Sequence, residues 1–377
     1  MKTDCIETEL LITLNSVRGI GAVLFQRLMF FFGSLKGIAC AKEKDLQRIP
    51  GIGQIIAADM VRAFKANAGQ QEKELARKNN AEIITYIEDS YPAQLRTVAN
   101  FPLAIYVKGK LHPEDECAIA VIGSRKATYY GKSTAERFGY ALAQHNICVV
   151  SGLARGIDTC AHQGALNAKG RTIAVLGSGL LRIYPEENAG LSEKISRNGA
   201  LISELPMNAP PDPRNFPQRN RIVSALSYGI LIVEAPLKSG ALITTEWALE
   251  QGKEVFAIPG KIDSDASKGC HAMIKQGAKL TESVNDIIEE LAPRFAKFCR
   301  FDDANSGPKK QPGKADLTAN EELILALLDT DPRHIDEIIR ASSLPAQTAS
   351  AALLGLELKK LARQLHGNNY VRTMRML

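Results

Sequence analysis

The apolar run Ala118-Ile-Ala-Val-Ile122 leads straight into Gly123-Ser-Arg-Lys-Ala-Thr-Tyr-Tyr-Gly131, and the same grammar recurs down the chain. Further short apolar runs lie at Ile147–Val150, Thr172–Leu176, Ala200–Ile202, Ile230–Val233 and Val255–Ile258. Stretches of helical length, such as Gly131–Gln144 and Thr159–Ala168, separate them. A strand that is apolar at every position is buried on both faces, as in a parallel sheet covered by helices on each side. Residues 118–300 are therefore expected to form an α/β domain, a doubly wound parallel sheet. Ligands of such sheets sit outside the carboxyl ends of the strands, which directs attention to the residues just after each run.

Outward from this domain the pattern changes. Residues 1–70 read as short helices around two similar pieces, Val17-Arg-Gly-Ile-Gly21 and Ile49-Pro-Gly-Ile-Gly53, each followed by apolar residues at helical spacing. Glycines there permit a tight turn just before a helix. The pair resembles a tandem helix-hairpin-helix (SAM-like) module, all α. Residues 71–117 read as a connector with a charged helix (Gln71–Asn79) and short strands at Ile83–Ile87 and Leu103–Val107. Residues 301–315 have the composition of a linker. Beyond it, helices at Asn320–Leu328, His334–Ala341 and Ala346–Leu361 precede a two-stranded wing within Leu365–Val371, so 316–377 resembles a winged helix.

Of the 377 residues 45% are hydrophobic and 23% charged, ordinary for a globular chain and incompatible with global disorder. No apolar stretch approaches the roughly 18 residues of a membrane span. The first residues carry Asp4, Glu7 and Glu9 without a basic region, which argues against a secretory signal. The cysteines number seven, with no C-x-x-C spacing. That disfavours a disulfide framework or a structural zinc, and it predicts reduced cysteines in a cytoplasmic protein. The net charge is +6. Residues 1–70 hold nine basic against six acidic side chains and residues 117–300 hold 22 against 17, so an anionic partner is sought in those regions.

Five loops carry the candidate chemistry: 123–131, 151–162, 177–185, 216–222 and 238–246. Small residues there let backbone approach a ligand, and each loop offers Arg or Lys. Arg125, Arg155, Arg182, Arg219, Arg221 and Lys238 would place cations along one rim of the sheet, an arrangement suited to a polyanion. The binding candidates are Gly123, Ser124, Arg125, Gly152, Arg155, Phe216, Arg219, Asn220, Arg221, Lys238, Ser239 and Gly240, with a base stacking on Phe216. Purely structural roles compete. Arg155 can pair with Asp158, one of Arg219 and Arg221 with Glu204 or Glu234, and Asn220 and Ser124 can cap helices. Phe216 and Trp247 can be core, and His162 a helix residue. Gly177-Ser-Gly179 lacks the third glycine of a dinucleotide fingerprint, Arg182 standing in its place. No P-loop, G-x-S-x-G or H-E-x-x-H is present. No catalytic residue, metal ligand or cofactor is therefore expected.

The segments GSR-x-x-T-x-Y-G (123–131), SGLARGIDTCAH (151–162), TIAVLGSG (172–179), FPQRNRIVSALS (216–227), KSGALITTEWALEQGKEVFAIPG (238–260) and SKGCHAMIKQGA (267–278) together resemble the DNA-processing protein A (DprA/Smf) family. His271 stands where that family's pattern favours Asn. The resemblance implies a Rossmann-like domain that binds single-stranded DNA, protects it and helps load RecA recombinase during natural transformation. It also implies a homodimer formed through that domain, no enzymatic activity and no membrane association. Two alternatives remain: a nucleoside-monophosphate phosphoribohydrolase-like enzyme using Arg125 and Glu246, and an adaptor that binds only protein.

Overall fold

The computed structural model describes residues 2–295 and 317–373. The chain opens with helices α1 (Lys2–Ser16), α2 (Ala22–Phe32), α3 (Leu35–Ala39), α4 (Glu43–Leu46), α5 (Gln54–Lys65) and α6 (Ala68–Lys78). Next come β1 (Ala81–Thr85), α7 (Ala93–Arg96), β2 (Ala104–Gly109), β3 (Ala118–Ile122), α8 (Tyr129–Gln144), β4 (Cys148–Ser151), α9 (Ile157–Asn167) and β5 (Thr172–Val175). The alternation continues with α10 (Ala189–Asn198), β6 (Ala200–Ser203), α11 (Asn215–Ala225), β7 (Gly229–Ile232), α12 (Gly240–Glu250), β8 (Glu254–Ala257), α13 (Lys268–Lys275), β9 (Lys279–Leu280) and α14 (Val284–Phe295). The last segment holds α15 (Ala319–Leu327), β10 (Arg333–His334), α16 (Ile335–Ser342), α17 (Ala346–Leu358), β11 (Ala362–Leu365) and β12 (Asn369–Arg372).

The expected α/β architecture is present. One sheet runs β1-β2-β6-β5-β4-β3-β7-β8-β9. Every pairing from β6 to β9 is parallel. Alternate residues of β3 enter opposite apolar layers. Ala118, Ala120 and Ile122 pack toward α11, α12 and α13, whereas Ile119 and Val121 pack toward α8, α9 and α14. A strand clothed on both faces presents mainly apolar side chains, which accounts for the apolar runs, and the buried hydroxyls at strand ends, Ser151, Thr172 and Ser203, each donate to a backbone carbonyl.

Three features depart from expectation. The stretch 71–117, read above as a connector, supplies β1 and β2 to the central sheet. Both are antiparallel, β2 pairing with β6, so the sheet is not purely parallel. In addition, β9 extends the other edge by two residues. In the N-terminal module, Gly19 (φ +95°) and Gly51 (φ +97°) occupy left-handed backbone that a side chain would strain. Val17, Ile20, Ile49 and Ile52 bury into the helical core on either side of these turns. The C-terminal module has the predicted helices. Its sheet is β10-β12-β11, one strand more than the predicted wing. The linker expected at 301–315 lies outside the described residues. No helix among the described residues is long and apolar enough to cross a membrane.

His162 on α9 is fully buried, with Nδ1 at 2.7 Å from Thr172 Oγ1 and no partner at Nε2. Burial, helped by the Arg219 charge, pushes its imidazole down to about 3. The folded protein therefore keeps it neutral, while the unfolded chain takes up a proton near pH 6.5. Its contribution to stability is full above about pH 6.5 and is lost as pH falls toward 3, by up to about 1.4 kcal/mol per pH unit. His162→Gln should flatten the acid limb of stability between about pH 6 and pH 4, measured by denaturant titration. An unchanged slope would remove His162 from that role.

Candidate nucleic-acid interface

From β3 the chain steps outward through β4, β5 and β6, then returns to place β7 on the other side of β3. The strand order reverses there, and a doubly wound sheet opens a crevice at the carboxyl ends of the two strands. A cleft of about 570 Å³ lies at that point. Its walls come from the loops after β3, β4 and β7 and from α11. Arg125, Lys126, Arg219 and Lys238 line it against a single carboxylate, Asp158.

Each wall has a local cause. Gly123 can only be glycine-sized, because a Cβ would meet Ile157 Cγ1 at 2.6 Å and the Glu234 carbonyl oxygen at 2.8 Å. The loop then turns into α8, capped by Thr128, whose Oγ1 accepts from Gly131 N. The buried Glu234 carboxylate holds that cap, accepting from Thr128 N at 2.9 Å and Thr128 Oγ1 at 2.5 Å. After β4, the Asp158 carboxylate accepts from the backbone amides of Gly152 (3.1 Å) and Ala154 (3.3 Å) and pulls the loop into a tight arch. After β7, Ser239 caps α12 and leaves Gly240 exposed at the cleft.

Arg219 forms the floor. It is buried, its Nη1 donates to Val175 O at 2.5 Å, and its Nε has no partner. The guanidinium packs flat on Gly152, where a Cβ would lie 1.9 Å from Nη1. Burial lowers its pKa to about 10, so it stays charged at neutral pH. Burial also pushes the Asp158 carboxyl up, against the pull of Arg219. Phe216 is half-buried beside Tyr184, with ring centroids 5.6 Å apart. The exposed Arg125 guanidinium rests 5.2 Å from the centre of the Phe216 ring.

Of the candidates, Gly123, Ser124, Arg125, Gly152, Phe216, Arg219, Asn220, Lys238, Ser239 and Gly240 converge on the cleft. Arg155 and Arg221 do not. Arg155 is exposed in a small adjoining hollow and makes a bidentate pair with Glu187 (2.8 and 2.9 Å), not with Asp158. Arg221 is buried and pairs with Glu204, at 2.6 and 3.0 Å. The two α11 arginines are two residues apart, about 200° around a helix, so one faces the cleft and the other the interior. Arg182 is exposed but lies outside the cleft lining.

The capping roles considered for Ser124 and Asn220 are not adopted. Thr128 caps α8, and Asn220 sits in the middle of α11 with its amide toward Gly240 O. Trp247, expected in the core, is half-buried on α12. His271 lies off the cleft, against Gly260. Glu246 is exposed and lies outside the lining, which leaves the enzymatic alternative without its acid. Lys126, Asp158, Tyr184 and Pro213 also line the cleft. Their convergence depends on long-range packing, and only Lys126, beside Arg125, carried a local charge cue.

The fold and cleft define a Rossmann-like protein with a cation-rich switch-point site, flanked by a helix-hairpin-helix module and a winged helix. The chain belongs to the DNA recombination-mediator protein A family, whose sequence profile matches residues 82–292. Profiles of a DprA winged helix domain and a SAM-like helix-hairpin-helix tandem match residues 308–368 and 11–66. Protein Smf of Escherichia coli is 39% identical over 78% of this chain and 78% of its own length. Protein Smf of a Synechocystis strain is 33% identical over 95% and 97%. The X-ray structure of DNA processing protein A from Streptococcus pneumoniae superposes with a TM-score of 0.64 at 32% identity, covering 74% of this chain and 95% of that one. A structure of DNA processing protein A from Helicobacter pylori, described for its single-stranded DNA binding mode, gives 0.51 at 28% identity over 57% and 96%.

Proposed function

We propose that the cleft binds single-stranded DNA through its sugar–phosphate chain. On this reading the protein protects incoming DNA and helps load a RecA-type recombinase during natural transformation, without catalysing a reaction. The observation that carries the proposal is the excess of four cations over one carboxylate around a cleft that also offers an aromatic ring. Phosphates meet Arg125, Lys126, Lys238 and the exposed backbone at Gly240, and a base stacks on Phe216 once Arg125 swings from the ring to a phosphate. The residues lining the cleft include no histidine or cysteine, and Asp158 is already engaged by two backbone amides. That composition suits holding a strand better than cleaving one. Membership of a family described as recombination mediators, and the single-stranded DNA binding of the Helicobacter relative, support the same reading.

The proposed location is the cytoplasm and the proposed assembly a homodimer through the Rossmann-like domain. An apolar groove distinct from the cleft, with Leu237, Ile262 and Leu280 exposed along it, supports the second point. Sedimentation velocity checks it, a one-chain mass at micromolar concentration being the contrary result.

The DNA assignment is tested by titrating the protein with matched single- and double-stranded oligonucleotides across a salt series. The three cations that meet phosphates, Arg125, Lys126 and Lys238, predict that log affinity for the single strand falls with log salt at a slope of about −2 from the cleft, roughly −0.7 per contact. Equal affinity for both forms, or a flat salt response, rejects the assignment.

A further inference from the structure

We infer that the DNA track continues out of the cleft across Asp212 and onto the first helix-hairpin-helix turn, where Arg18 and Arg214 hold the next phosphates. The inference rests on the single-stranded DNA reading of the cleft. Pro213 forms part of the cleft wall, and the residues on either side of it make a charged junction. The Asp212 carboxylate accepts from Arg214 Nε at 3.0 Å and Nη2 at 2.6 Å, and from Arg18 Nη2 at 3.4 Å. Two guanidinium groups thus share one carboxylate and leave a positive charge uncompensated. Their side chains are 73% (Arg18) and 71% (Arg214) exposed, so both have donors turned to solvent. A cation pair with one anion too few, continuous with a cation-lined cleft, suits the phosphate that follows those inside.

The junction is held in register with the cleft. Arg221, on the same helix as Phe216, Arg219 and Asn220, grips the Glu204 carboxylate and donates from Nε to Asn100 O at 2.8 Å. The Glu204 carbonyl in turn accepts from Asn15 Nδ2 at 2.8 Å, three residues before Arg18. Arg221 therefore ties the N-terminal module to the helix that builds the cleft. The turn exposes Arg18 and Gly19 while Val17 and Ile20 are buried, so the cation is the group this hairpin presents outward.

The test is fluorescence anisotropy on the full chain with oligo-dT of graded length. A strand of about five nucleotides, filling only the cleft, should bind wild type and Arg18→Glu equally. A strand of about 20 should bind the variant roughly tenfold more weakly, with a salt slope shallower by about 0.7 per phosphate released. Asp212→Asn should tighten the long strand severalfold and leave the short one unchanged, a gain that damaged folding cannot produce. Length-independent losses in Arg18→Glu, or unchanged long-strand binding in both variants, overturn the extended track. Should wild type bind no oligonucleotide of either length, the cleft assignment itself fails. Binding by wild type with neither variant altered removes only the extension.

Discussion

Arg125→Ala should lower single-stranded DNA affinity by roughly 10- to 100-fold without altering the fold. A hydrogen bond to a charged group contributes about 1.5–3 kcal/mol, and a tenfold change in affinity is about 1.4 kcal/mol. Arg125 is exposed at the cleft, rests on the Phe216 ring and forms no ion pair among the described residues, so its charge is available to a phosphate. The salt slope should become shallower by about 0.7. Arg155→Ala is the internal comparison. Its guanidinium is already paired with Glu187 outside the main cleft, and its loss should change affinity by less than about threefold. Parallel titrations of the two variants, with circular dichroism to check the fold, decide the matter. Equal losses for both would show that diffuse charge, not this cleft, binds DNA.

Arg221→Ala should lower stability by about 3–5 kcal/mol, because it strands the half-buried Glu204 carboxylate without its partner. It also removes the donor to Asn100 O, loosening the hold of α11 on the segment that leads into β2. Replacing both partners by apolar residues of similar volume, Arg221→Met with Glu204→Leu, should recover most of that loss. Chemical denaturation of wild type, single and double variants measures it. A loss below about 1 kcal/mol in the single variant would contradict a buried clamp and return Arg221 to the candidate DNA contacts.

The fold was legible where burial is symmetric. The six apolar runs match β3 to β8 to within a residue or so at either end, because a strand covered on both faces is mainly apolar. The antiparallel strands β1 and β2 carry charge at Glu82 and Lys108, so they read as connecting structure although they pair in the same sheet. That the loops after β3, β4 and β7 wall one cleft was legible from the topology of such sheets. The roles of individual cations were not. Arg219 and Arg221 are equivalent in sequence, and only their positions on a helix starting at Asn215 separate floor from clamp. The partners of Arg155 and Arg18, Glu187 and Asp212, lie 32 and 194 residues away along the chain, a distance at which no local pattern identifies them.

The most direct test of the central claim is ultraviolet cross-linking of an iodouracil-substituted single strand to the full chain, with the adducts located by peptide mass spectrometry. Adducts on the peptides that carry Tyr184 and Phe216 are expected, and excess unmodified strand should suppress them. Adducts confined to the winged helix, residues 317–373, with the Tyr184 and Phe216 peptides unmodified, would contradict a DNA-binding cleft at the β3–β7 switch point.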